Sequence, residues 1–223
     1  GNAEILAHFG TPEQKAQYLQ PLLDGKIASC YSMTEPQAGS DPAEFTCQAR
    51  REGDQWVING EKWFASHARF SEFLLVMVVT NPDVPIHEGA SIILVEKGTP
   101  GMDILRNSAV GPFAEQGDGV HGYIRFTECR VPADHLLGEE GQGFLVAQTR
   151  LGGGRVHHAM RTVGVLKKAM DMMCERVLSR TTKGELLATK QMSQDKVADN
   201  YTQILQYRLH VLYTAWLIDK YKE

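Results

Sequence analysis

Long apolar runs, dense stretches of one charge and paired cysteines are all missing from this sequence. Its longest apolar stretch, residues 73–80, is far shorter than the roughly 20 residues a membrane-spanning helix requires. No basic region leads into an apolar core near the first residue, so neither a secretory signal nor a transmembrane segment is expected. Lys and Arg number 23 against 27 Asp and Glu, a formal net charge of -4, and no basic cluster stands out. That balance excludes the electrostatic footprint of a nucleic-acid binder, though it leaves room for one anionic small molecule. The four cysteines, Cys30, Cys47, Cys129 and Cys174, lie far apart, with no CxxC pair and no histidine at zinc spacing. Neither a disulfide scaffold nor a metal site is expected, and the cysteines read as reduced thiols of an intracellular, soluble protein, in a bacterial cytoplasm or an organelle matrix.

What is present is an apolar content of 43% over 223 residues, enough to bury a sizeable core. The pattern falls into three regimes, residues 1–25, 26–138 and 139–223. In the first, Ile5, Leu6 and Phe9 recur at helical spacing, and Thr11-Pro12-Glu13 offers an N-cap followed by proline at the first helical position. Two short helices joined at Gly10 and stopped at Gly25 are predicted. The second regime reads as short strands over 27–33, 45–51, 55–59, 73–79, 90–96, 102–105 and 123–126. Turn signals at Gly53-Asp54, Asn59-Gly60, Asn81-Pro82 and Thr99-Pro100-Gly101 separate them, the rhythm of an all-β barrel or sandwich. The continuously apolar run at 73–79 needs cover on both faces. The third regime predicts long helices over about 143–180 and 187–221, with Val163, Leu166, Met170, Met173 and Val177 at three-to-four spacing. Two such helices leave an apolar stripe with too few partners, which points to an oligomer or to further chain.

Three local segments carry chemistry. Residues 31–41 read YSMTEPQAGSD, 57–66 read VINGEKWFAS, and 150–164 read RLGGGRVHHAMRTVG, followed by RTTKG at 180–184 and LATKQ at 187–191. The first resembles the flavin loop YxxTEPxAGSD of the acyl-CoA dehydrogenase family. The second is similar to that family's INGxKxWIT segment, and the third to its GR-bearing helix and RxxFGxxLxxxQ segment. The fit is strongest with a branch carrying GRLGxGRxHHxMRTVG and MCER, repeated here by Met173-Cys-Glu-Arg176. That branch includes dehydrogenase domains fused to kinase-like domains in animals, and is associated with longer or 4-hydroxylated acyl-CoA substrates.

The resemblance implies an α+β fold: the end of an N-terminal helical domain, a central β-barrel or sandwich domain and the start of a C-terminal helical bundle. It implies FAD as cofactor, held by Tyr31, Ser32, Met33, Thr34, Gly39, Ser40, Phe64, Ala65 and Ser66. Arg180, Thr182 and Gln191 would reach the phosphate and adenosine end of FAD, in this family on a neighbouring subunit. Thr34 would face the flavin's N1/O2 edge, which gains negative charge on reduction. Phe64 stands where a tryptophan usually covers the flavin, and Ser66 replaces a threonine facing N5. Acyl-CoA would meet Ser40, Gly152 and Arg155.

The implied activity is α,β-dehydrogenation of an acyl-CoA thioester, with an electron-transfer flavoprotein as electron acceptor and a homo-oligomer, dimer or tetramer, as assembly. No catalytic residue is assigned, because the family's usual carboxylate base is expected on a helix C-terminal to residue 223, and Gly154 stands where a minority of members keep theirs. This stretch alone is expected to be inactive. An acyl-CoA oxidase and a non-catalytic scaffold are the alternatives. Gln37 in place of glycine and Lys183 in place of phenylalanine are the main departures. Glutamine would disfavour a left-handed backbone at position 37 and reshape the loop.

Overall fold

The computed structural model describes residues 1–108 and 121–221. Helix α1 (Asn2–Phe9) turns Ile5 and Leu6 fully inward. After Gly10 the Thr11 hydroxyl accepts from the Gln14 amide, while the Gln14 side chain accepts from the Thr11 amide, each at 3.2 Å. This reciprocal cap opens α2 (Pro12–Gln14), which runs through a π turn at Lys15–Leu19 into α3 (Gln20–Leu23). Gly25, at φ +69, lets the chain leave, as the sequence predicts.

The next strands are β1 (Ser29–Ser32), β2 (Gln48–Glu52), β3 (Gln55–Ser66), β4 (Phe73–Val79), β5 (Ala90–Glu96), β6 (Met102–Ser108), β7 (His121–Pro132) and β8 (Leu136–Leu137), with a short helix α4 (Ile86–Gly89) before β5. They join in the order β6-β7-β3-β2-β4-β5-β8, and β1 adds in parallel to β4. β2 meets β4 at a single pair, Gln48↔Val79. The sheet therefore folds there into two wings that share one core, in which Trp56, Ile58, Phe126 and Val131 meet Leu74, Val76, Ile93 and Val95. The alternate residues of the second wing, Phe73, Leu75, Met77, Ile92 and Leu94, pack on the opposite side against Ile5, Leu6, Tyr18, Val146 and Ala147. β4 is thus covered on both faces, which is why it is apolar at every position.

One turn signal misleads. Asn59-Gly60 lies inside β3, and the hairpin turn is at Gly53-Asp54. Asn59 is spent across the sheet: its amide donates to the Glu128 carboxylate and its carbonyl accepts from the Glu128 amide, both at 2.9 Å. Glu128, at φ +46, belongs to a bulge in β7 where the register slips between Ile58↔Cys129 and Gly60↔Phe126. Gly60, at φ +135, passes so close to the residue ahead of β2 that a Cβ would sit 2.5 Å from the Cys47 Cα.

The residues from Gly1 to Leu151 form one compact unit and those from Gly152 to Glu223 a second. Helix α5 (Gly143–Ser179) is shared between them. The second unit continues with a hairpin that the sequence reading missed, β9 (Thr181–Thr182) and β10 (Glu185–Leu186), turned by Lys183 and Gly184 at φ +50 and +82. It closes with α6 (Gln191–Lys220).

Candidate functional site

Residues 33–41 leave the end of β1 as a loop whose anchor is a carboxylate. Glu35 is buried, and its side chain forms an ion pair with Lys62 at 2.7 Å in which both side chains are wholly enclosed. The other carboxylate positions are filled by the Thr46 amide at 2.7 Å, the Cys47 amide at 3.1 Å and the Gln37 side chain at 2.7 Å. Burial alone would raise the Glu35 pKa. The Lys62 charge and the hydrogen bonds from Lys62, Thr46 and Gln37 outweigh it and hold the carboxyl below its ordinary value. Lys62 also donates to the Met33 carbonyl at 2.9 Å and lies over the Phe45 ring at 4.6 Å. A buried charge pair with every position satisfied is stable as a unit and costly to split. Gln37 is not left-handed, and its amide also reaches the Thr46 hydroxyl at 3.0 Å, so the departure from glycine braces the loop.

Lys62 is also the last regular residue of β3 before a second bulge, between the pairs Lys62↔Ile124 and Ala65↔Gly122. The Trp63 amide donates to the Thr34 carbonyl at 2.7 Å, which ties the loop to this bulge. Phe64 takes the left-handed conformation, φ +52, with its ring stacked on Trp63 at 4.6 Å and 40% exposed. A bulky left-handed residue is strained, and such strain collects at functional sites. Ala65, between the exposed Phe64 and Ser66, is wholly buried. Ser66 is exposed and pairs in register with His121, its hydroxyl 2.9 Å from the His121 Nδ1. His121 also pairs with Ser108, whose buried hydroxyl accepts from the Trp63 indole.

Thr34 and Ser40 present hydroxyls with no hydrogen-bond partner among the described residues. Gly39 and Ser40 are exposed. Two further polar atoms, the Tyr31 and Ser32 hydroxyls, are buried without a partner. Such atoms cost free energy unless something completes them. Tyr31 lies under the Arg150 guanidinium, 4.0 Å from its ring, and burial pushes its phenol up to about 12. Arg150 donates to the Asn2 side chain at 2.8 Å, and Asn2 in turn to the Ser29 hydroxyl at 2.9 Å.

The loop residues and 64–66 are therefore brought together in the first unit. Gly152 and Arg155 lie on α5 in the second unit, where Arg180 precedes β9, Thr182 lies in β9, and Gln191 opens α6. The Leu187 amide donates to the Arg180 carbonyl at 2.9 Å and closes the hairpin. Sequence reasoning missed Glu35, Lys62, His121 and Arg150. For His121 the signal was the alternation of His-Gly-Tyr-Ile-Arg-Phe, which extends the strand two residues ahead of Tyr123. No membrane-spanning helix and no cluster of metal-ligating side chains occurs among the described residues.

Comparison with known proteins joins these features to one family. Residues 30–129 match the acyl-CoA dehydrogenase middle domain and residues 141–223 the acyl-CoA dehydrogenase C-terminal domain. The Mycobacterium tuberculosis protein named "Probable acyl-CoA dehydrogenase FadE2" is 45% identical over 99% of this chain and 54% of its own length. Human acyl-CoA dehydrogenase family member 11 is 40% identical over 98% of this chain and 29% of its own. The chain thus spans about half or less of these curated relatives. Among solved structures, Geobacillus kaustophilus acyl-CoA dehydrogenase superposes with a TM-score of 0.86 at 30% identity, over 93% of this chain and 54% of that one. Megasphaera elsdenii butyryl-CoA dehydrogenase gives 0.85 at 29% identity, over 97% and 56%. Through both matched domains, the chain belongs to the acyl-CoA dehydrogenase family.

Proposed function

We propose that this chain contributes the flavin site and part of the acyl-CoA site of an FAD-dependent acyl-CoA dehydrogenase. The observation that carries the reading is the Thr34 to Ser40 loop, pinned by Glu35 and Lys62 against a strained Phe64 while its own hydroxyls stay unpaired. Rigid donors around an open face suit a planar, electron-accepting ring better than they suit a flexible peptide. Tyr31, Ser32, Met33, Thr34, Gly39, Ser40, Phe64, Ala65 and Ser66 would hold FAD, which supplies hydride acceptance when bound. Thr34 would donate a hydrogen bond from its hydroxyl to the ring, and the exposed Phe64 face would keep water from it.

On the second unit, Arg180, Thr182 and Gln191 would meet the phosphate and adenosine end of an FAD carried by a neighbouring subunit, and Gly152 and Arg155 would lie on the CoA side of the substrate. Arg155 offers a planar guanidinium matched to phosphate or carbonyl oxygen. An electron-transfer flavoprotein is the proposed electron acceptor. One solved neighbour, at a TM-score of 0.86 and 30% identity, comes from work on an electron transferring flavoprotein of Acidaminococcus fermentans. The assembly is proposed to be a homo-oligomer. The bracing role of Gln37 removes one reason to prefer a non-catalytic scaffold.

The test is the visible spectrum of the purified full-length protein. Stoichiometric FAD that bleaches on anaerobic addition of an acyl-CoA is expected. A flavin-free protein that takes up no FAD would sink the proposal. Bound FAD that no acyl-CoA reduces would support the scaffold reading instead.

A further inference from the structure

The cross-strand row Ser66, His121 and Ser108 continues beside the loop, and nothing in the proposed FAD set accounts for its central member. His121 opens β7, partly exposed, with its ring edge-on to Phe64 at 6.3 Å and 72°. Its Nδ1 lies 2.9 Å from the Ser66 hydroxyl. Their positions as a register pair fix that contact through the backbone, since directly opposed residues share a face. Past the bulge at Trp63 and Phe64, Ala65 is buried and Ser66 exposed, and His121 neighbours both the Ser66 hydroxyl and the Phe64 ring.

An imidazole nitrogen can donate or accept, and a serine hydroxyl can do both. If Nδ1 carries the proton, it donates to the Ser66 oxygen and the hydroxyl hydrogen points outward. If Nδ1 is bare, the hydroxyl donates to it and an oxygen lone pair points outward. Ser66 can therefore face a ligand as donor or as acceptor without losing its bond to His121. A serine with no such partner would rotate freely and lose entropy on each binding event.

We infer that His121 is a positioning residue for the flavin, setting through Ser66 the hydrogen-bond polarity offered to a ring atom that accepts when oxidised and donates when reduced. This rests on the reading that the Thr34 to Ser66 face holds FAD. His121 acts through Ser66 and touches no reacting atom.

The test is a double-substitution cycle in the full-length protein, read as the Kd values of oxidised and reduced FAD. His121→Ala and Ser66→Ala are each expected to change the ratio of the two values by about fivefold, the worth of one hydrogen bond. The double variant should show no more than either single change. His121→Asn, which keeps a side-chain donor and acceptor, should restore most of the wild-type ratio. Additive effects, or a His121→Ala ratio equal to wild type, would overturn the inference.

A second measurement needs no change at His121. In protein labelled with 15N-histidine, reduction of bound FAD should shift the His121 Nδ1 resonance in the wild type and not in Ser66→Ala. An unmoved wild-type resonance would equally overturn it. If the wild type binds no FAD in either state, it is the underlying cofactor reading that fails.

Discussion

At the scale of single residues, a buried ion pair and one strained aromatic are decisive for opposite reasons. Glu35 and Lys62 are wholly enclosed, so splitting the pair strands a charge in the core. Lys62→Met is expected to cost about 3–5 kcal/mol in urea unfolding, and the double replacement Glu35→Leu with Lys62→Met much less than the sum of the single changes. The pair also sets an acid response. The Glu35 carboxyl is depressed in the folded state, so its contribution is complete above its unfolded pKa of about 4.3 and is lost as pH falls through the lower, folded value. Wild type should therefore lose stability below about pH 4 more steeply than Glu35→Gln. Equal slopes in a pH series of unfolding curves would refute this assignment.

Phe64 is the strained aromatic. Its left-handed backbone costs about 1–2 kcal/mol, while its stack on Trp63 returns about 0.5–1.5 kcal/mol. These terms nearly cancel, so Phe64→Gly should leave the melting temperature within a few degrees of wild type. Its FAD affinity should nevertheless fall at least tenfold, measured by fluorescence quenching. A large loss of stability with unchanged affinity would make Phe64 a structural residue.

At the scale of elements, periodicity was readable and the interruptions of periodicity were not. β4 and β5 run over 73–79 and 90–96, as their apolar runs predict, because burial on both faces leaves an unbroken signature. The bulges left none. Asn59-Gly60 has the composition of a two-residue turn, yet its glycine serves a close approach to Cys47 and its asparagine a bond to Glu128. Local propensity cannot see a partner strand some seventy residues away. The same limit explains the site. The loop and Phe64 were legible through motifs, whereas Glu35, Lys62 and His121 act through partners that only the folded register supplies.

Gly60→Ala tests the approach directly. A methyl group 2.5 Å from the Cys47 Cα, on a backbone at φ +135, should destabilise by more than about 2 kcal/mol in denaturant unfolding. The hairpin in the second unit offers the opposite case. Lys183 holds φ +50 with no tight packing demand, so Lys183→Asn should gain a few tenths to about 1 kcal/mol.

At the scale of the whole molecule, the two units differ in how they bury apolar surface. The first has cores on both sides of its folded sheet. In the second, Val163 and Val211 are buried, while Tyr201, Leu205, Leu209, Leu212 and Trp216 are 40–61% exposed along α6. Their spacing of four, four, three and four residues makes one helical stripe. An open groove of about 530 Å³ between α5 and α6, lined by Met170, Cys174, Val177 and Tyr201, extends the unfilled apolar surface. Scattered exposed leucines are ordinary, but a continuous stripe is a mark of association. The proposed homo-oligomer, or further chain of the same protein, would supply the cover.

Leu205→Lys combined with Leu212→Lys in the full-length protein separates the outcomes. On a solvated helix face these changes are worth about 0.5 kcal/mol or less each, whereas burying a leucine is worth about 1.5–3 kcal/mol. The expected result is a smaller mass by light scattering together with a lower melting temperature. A smaller mass with an unchanged melting temperature would confine the stripe to the contact between subunits. An unchanged mass and melting temperature would mean that the stripe faces water and that the subunits, if they associate, meet through another surface.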